Sequence, residues 1–206
     1  MPKISEIGLY NYLAWKQVPG LRENVKLITV KKGKQLYDTA QKYTDIYEIL
    51  SGAVKLGGIS GKGKEYIYEL VTPGEFFGNL AMLGDTFCEF GKAIVVTQLR
   101  VYKPAFFKHL MTHDPEVAAW CFEKIVYRWN KTESMLANIR SYEPRERIQM
   151  LYNELQKKTI IASNREIILH RLITLQDIAD LTGTTRQLAA EIINTIGSSP
   201  LTGLQL

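Results

Sequence analysis

Two hydrophobic rhythms divide this chain. From about residue 25 to 103, apolar and polar positions alternate in short runs broken by glycine and proline. Val25-Lys-Leu-Ile-Thr-Val30 runs into a turn at Gly33, and Tyr47 to Lys55 reads as two strands about Ser51-Gly52. Tyr66 to Val71 alternates before Thr72-Pro73-Gly74, and Ala93 to Thr97 and Leu99 to Tyr102 follow. A period of two marks strands with one buried face, and short strands between regular turn signals predict a sandwich or barrel. Gly57-Gly58 and Gly61-Lys62-Gly63 mark a flexible hairpin, and residues 1–20 read as short helix and loop.

At Asp114-Pro115-Glu116 the period changes to three and four. Asp at the N-cap, Pro at the first helical position and Glu in the first turn start a helix. The next breaker is Pro144, which predicts a helix of about 28 residues, roughly 42 Å long. One heptad row is Ala118, Ile125, Thr132 and Ile139; a second is Cys121, Arg128, Met135 and Tyr142. Together they predict a coiled-coil-like seam for a parallel homodimer, with Ala118, Cys121, Ile125, Arg128, Thr132, Met135 and Ile139 in the interface. The adjacent row Phe122, Trp129 and Leu136 is expected to pack on the barrel.

Beyond Pro144 an amphipathic helix is predicted from Arg145 to about Lys158, with Ile148, Leu151, Tyr152 and Leu155 inward. Residues 174–197 then read as a helix-turn-helix. Thr174 and Asp177 have capping-box spacing, Ala179 permits close helix crossing, and Gly183 supplies a left-handed turn residue. Thr184 is placed to cap the second helix, whose apolar face is Leu188, Ile192, Ile193 and Ile196. The leading residues of such a helix enter the major groove. Here Thr184, Thr185, Arg186, Gln187 and Glu191 are the candidates, Arg and Gln being suited to guanine and adenine edges.

Composition tempers this picture. The net charge of +5 suits a nucleic-acid partner, yet residues 143–206 carry seven basic and seven acidic side chains. The excess lies entirely in residues 1–142, so the candidate DNA-binding region is neutral, and a dimer would have to double its phosphate contacts. Two cysteines give neither a disulfide framework nor a zinc or iron–sulfur site. The absence of a long apolar run or a leader-like start predicts a cytoplasmic protein without membrane contact. Three histidines, no nucleophile–base pair and no phosphate-cradling loop argue against an enzyme.

A β-roll, a long helix and a C-terminal helix-turn-helix, in that order, resemble the Crp/Fnr family of transcription regulators. The resemblance rests on Tyr47-Glu-Ile-Leu-Ser-Gly-Ala-Val54, Pro73-Gly-Glu-Phe-Phe-Gly78 and the helix-turn-helix. It implies an α+β chain: a double-stranded β-helix (jelly-roll-like β-roll) sensor at 1–113, a dimerisation helix at 114–143 and a DNA-binding unit at 144–206. In cyclic-AMP-binding members a Glu after Pro-Gly-Glu-Phe-Phe-Gly takes the ribose, and a later Arg-Ser pair before Ala holds the phosphate. Here those positions fall at Asn79 and at Gly91-Lys92, before Ala93. A pocket of Gly78, Asn79, Leu80, Lys92, Ala93 and Thr132 is implied, without the planar arginine clamp. The expectation is therefore no cyclic-AMP binding and no cofactor, with room for an unidentified small-molecule effector. Only nine residues follow Gly197, so the wing that family members carry is expected to be reduced or absent. The competing reading is a sensor or interaction module whose helix-turn-helix has lost DNA.

Overall fold

The computed structural model describes residues 2–41, 44–79, 88–162 and 164–198. Three short helices, α1 (Ile4–Ile7), α2 (Leu9–Trp15) and α3 (Leu21–Asn24), precede the strands. The strands are β1 (Val25–Val30), β2 (Gln35–Tyr37), β3 (Ile46–Ser51), β4 (Val54–Ile59), β5 (Glu65–Val71), β6 (Phe76–Phe77), β7 (Phe90–Ala93) and β8 (Thr97–Tyr102). They form two antiparallel sheets, ordered β1-β8-β3-β6 and β2-β7-β4-β5. Tyr37, Tyr47, Ile49, Val54, Leu56, Val71, Phe77, Leu99 and Val101 fill the space between them. The alternation predicts such a sandwich, and the family resemblance implies its β-roll form.

The roll depends on glycine in two places. Gly78 has φ +114°, and a Cβ there would collide with the Asp45 carbonyl. Gly57 lies against the Tyr66 carbonyl and the Phe90 ring, so a side chain there has no space.

Helix α4 (Pro104–His113) leads into α5 (Pro115–Ser141), a helix of 27 residues. Asp114 caps α5 by accepting from the Glu116 and Val117 amides. Its carboxylate also takes the Lys16 ammonium at 2.8 Å, tying α2 to the start of the long helix. The first turns of α5 bury Val117, Trp120 and Cys121 against Leu9, Leu13, Phe107 and Leu110. Full burial of such side chains contributes about 1.5–3 kcal/mol each, which anchors this end of α5 to the roll.

Helix α6 (Pro144–Glu154) ends four residues earlier than the amphipathic pattern suggests. A hairpin of β9 (Lys158–Ile160) and β10 (Glu166–Ile168) and a short 3-10 turn (Leu169–Leu172) lead into α7 (Leu175–Thr182) and α8 (Arg186–Ser198). Ile148, Ile178, Ala179, Ala189 and Ile192 form the core of this three-helix unit. Among the described residues, no helix is long and apolar enough to cross a membrane.

Candidate functional site

The helix-turn-helix is built much as the sequence implies. Thr174 caps α7: its hydroxyl accepts from the Asp177 amide, and the Asp177 carboxylate accepts from the Thr174 amide. Gly183 is left-handed at φ +60°, ψ +42°. One assignment is corrected. Thr185, not Thr184, caps α8, its hydroxyl accepting from the Leu188 amide at 3.2 Å. The Thr184 hydroxyl lies 2.9 Å from that of Thr182 and is half-buried. Thr185, Arg186, Gln187 and Glu191 share an exposed surface at the leading end of α8. A stretch of chain carrying an N-cap, a guanidinium and an amide, open to solvent, suits a groove lined with base edges.

Arg147 of α6 fixes the turn. Its guanidinium donates to the Thr182 and Gly183 carbonyls at the end of α7 and to the Ile139 and Tyr142 carbonyls at the end of α5. Carbonyls at helix C-termini lack intrahelical donors, and a cation there also answers the helix dipole. One side chain thus joins the long helix to the turn between α7 and α8. Nothing in the sequence singles it out, because its partners are backbone atoms 5, 8, 35 and 36 positions away.

The implied ligand pocket does not assemble from its predicted residues. Gly78 and Asn79 do lie together, with the Asn79 amide donating to the Thr44 hydroxyl at 2.6 Å. Leu80 lies outside the described residues. Lys92 is corrected: it stands opposite Lys55 across β4 and β7. Side chains alternate along a strand. Gly91, against the Tyr37 ring, faces inward, and so does Ala93, whereas Lys92 shares the outer face of Phe90. Thr132 is on the exposed side of α5 and donates to the Arg128 carbonyl.

A different polar group occupies the roll. The buried carboxylate of Glu89 accepts from the phenols of Tyr37 and Tyr68. Burial pushes Glu89 above the usual carboxylate range, against the opposing effect of those hydrogen bonds. Burial and the neighbouring Glu89 also raise both phenols. Next to this group, Glu69 of β5 takes Arg128 of α5 at 2.5 Å and Lys131 at 3.6 Å. A carboxylate wrapped by two phenols is a poor host for an anion. The heptad pattern assigned Arg128 elsewhere, and no local signal marks Glu89.

The faces of α5 also need revision. Cys121 is 5% exposed and packed in the chain's own core, which removes it from the predicted seam; burial pushes its thiol up to about 12. Arg128 turns to the roll, Met135 lines the space between roll and α6, and Ile139 packs on Gly183. Phe122, Trp129 and Leu136, expected inside, are instead 67%, 62% and 54% exposed. With Ile125 and Thr132, also exposed, they make a stripe at spacings of three and four. Ala118 is half-buried at its start. The seven-residue period is right, but the buried and open rows are exchanged. Periodicity alone does not say which of two apolar rows faces home.

Residues 27–114 match the cyclic nucleotide-binding domain family. The global nitrogen regulator of Synechococcus elongatus is 23% identical over 174 residues, covering 83% of this chain and 78% of that one. The CRP-like cAMP-activated global transcriptional regulator of Mycobacterium tuberculosis is 18% identical over 186 residues, covering 89% and 83%. Over most of its length the chain is similar to regulators of the Crp/Fnr type. Its fold matches that of FixK2 from Bradyrhizobium japonicum with a TM-score of 0.69 at 17% identity, over 87% of this chain and 89% of that one. A Crp/Fnr-family regulator from Eubacterium rectale superposes with a TM-score of 0.67 at 18% identity, covering 95% and 91%. At such identities the structural likeness speaks for the Crp/Fnr fold alone. Among the described residues, no group of three His, Cys, Asp or Glu side chains is placed to hold a metal.

Proposed function

We propose that this chain is a DNA-binding transcription regulator that acts as a homodimer. The observation that carries the reading is the exposed leading end of α8, where Arg186 and Gln187 follow the capped Thr185 on a helix packed against α7. Arg186 and Gln187 read base edges, Thr184 and Thr185 lie near phosphates, and Glu191 tunes the choice of base one turn on. The stripe Phe122, Ile125, Trp129, Thr132 and Leu136 is the dimer contact. The neutral charge of residues 143–206 makes two-fold doubling of the contacts necessary for tight binding. Names of the relatives, a nitrogen regulator and a cAMP-activated transcriptional regulator, support the same reading.

The roll of this chain does not bind cyclic AMP. Glu89 in the interior repels a phosphate, and Lys92 points away from it. The signal is another small molecule or a partner, and the chain is not an enzyme.

Selection of duplexes from a random pool, at low and moderate salt, tests the DNA reading. A specific duplex should emerge, and Arg186→Ala should weaken its binding by about 1–3 kcal/mol. Retention of no duplex at low salt leaves the sensor-module alternative. Calorimetry with cyclic AMP should give no heat of binding; a micromolar signal overturns the reading of Glu89.

A further inference from the structure

The first helix of the helix-turn-helix is largely covered, with five of its eight residues buried. None of the eight residues of α7, Leu175–Thr182, is exposed. Helices α6 and α8 cover part of it, and the outer face of the β4–β5 hairpin covers another part. Leu181 packs with Ile67 and Phe90 of the roll. Asp180 accepts from the Ile67 amide at 3.1 Å, while Gln176 donates to its other oxygen. Asp177 takes the Lys55 ammonium at 2.7 Å, with side chains 5% and 19% exposed.

Asp177 has two jobs, one for each oxygen. Oδ2 accepts from the Thr174 amide and hydroxyl and so completes the cap of α7. Oδ1 accepts from Lys55. The start of the DNA-binding unit is therefore wired directly to a central strand of the sensor. A charge-assisted bond at this depth is worth more than a surface pair, because water screens it less.

In a helix-turn-helix on DNA, the first helix crosses the phosphate backbone while the second enters the groove. With Asp177, Asp180 and Leu181 held on the roll, α7 is not free to lie across a backbone. On the strength of the DNA-binding reading above, we infer that the Lys55–Asp177 pair is an autoinhibitory latch: it holds α7 on the roll, and the unit must leave β4 and β5 to engage a duplex. Arg147 keeps the turn attached to α5 and α6 as α7 departs, so the movement is a rotation about that end rather than a detachment. The latch gives the sensor a handle on the output, since any ligand or partner that displaces Lys55 frees α7 from the roll.

The test compares the full-length wild type with Lys55→Met and Lys55→Arg. Met keeps the apolar stem and deletes the charge; Arg keeps the charge. Asp177 retains its Thr174 partners in both, so the cap survives. Two quantities are read: hydrogen exchange at the Ile67 amide and across Leu175–Thr182, and retention of the duplex selected from a random pool at low salt. Lys55→Met should speed exchange at both places and tighten duplex binding about tenfold, the equivalent of about 1.4 kcal/mol, while Lys55→Arg behaves as wild type. Asp180→Ala, which removes the Ile67 contact at the sheet edge, should act in the same direction should Lys55→Met fold poorly. Faster exchange without tighter binding overturns the inhibitory role. Unchanged exchange overturns the latch itself. If no protein retains a duplex, the DNA reading falls and inhibition with it, while exchange still decides whether Lys55 holds α7.

Discussion

Arg128 and Glu69 meet at 2.5 Å, joining the middle of the long helix to the edge strand of the roll. The guanidinium is 38% exposed and the carboxylate 11%, so solvent screens the pair from one side only. Burial disfavours the charge on Arg128, but Glu69, with Glu89 and Tyr68 nearby, more than offsets this and raises its basicity. Arg128→Gln should lower the unfolding free energy by about 1–2 kcal/mol in urea titrations. Lys131 at 3.6 Å keeps Glu69 partly compensated, which is why a larger loss is not expected.

Arg147 offers a stricter case. It donates to four carbonyls at the ends of α5 and α7, two of them belonging to the turn of the helix-turn-helix. Arg147→Ala should destabilise the C-terminal unit by about 2–3 kcal/mol, as expected for losing hydrogen bonds from a charged donor. Arg147→Lys should recover little, because one ammonium cannot span a fork of four acceptors. Thermal unfolding of both variants, with equal losses, supports this; full recovery by Lys would refute it.

These two arginines show where sequence stops being legible. Caps, turn glycines and the change from a period of two to one of three and four are local, and a β-sandwich or barrel, the long helix and the helix-turn-helix all follow from them. Contacts such as Arg128–Glu69 or Lys55–Asp177, separated by 59 and 122 positions, leave no local trace. The same limit explains Lys92, which sits one position from an inward-facing glycine. A shift of one residue along a strand moves a side chain to the other face.

The two cysteines should react very differently. Cys88 is exposed and Cys121 is buried, with its thiol pushed up to about 12 by burial. The thiolate is the reactive form. A disulfide reagent at pH 8 should therefore modify one thiol in the native protein and the second only after unfolding. Rapid native reaction of both thiols would show that the core around Val117 and Trp120 is open.

Alkaline stability follows from the phenols. Burial, and then Glu89, raises Tyr37 and Tyr68; burial alone is the main cause at Tyr47, pushed up to about 12. Each folded value lies above the unfolded one near 10. The unfolded chain therefore loses these protons first, so their contribution is intact below about pH 10 and falls as pH rises beyond it. The urea midpoint should drop steeply above pH 10. Phenolate absorbance should lag behind that of free tyrosine until the chain unfolds, and Tyr37→Phe should soften the pH dependence.

The exposed stripe on α5 gives the sharpest distinction between two rows of one helix. Trp129 and Leu136 are 62% and 54% exposed, so charge at either position costs the folded monomer little. In an apolar contact between two helices the same charge is uncompensated, and its twin across the dyad repels it. Trp129→Glu and Leu136→Glu should each turn a dimer into a folded monomer in sedimentation experiments, with unchanged helix content. Cys121→Ser, in the buried row, should do the reverse and lower stability without changing assembly. A monomeric wild type, or a dimer indifferent to both glutamates, would remove this face from the interface. A duplex bound by the dimer but released by the monomeric variants would tie the seam to the need for paired recognition helices.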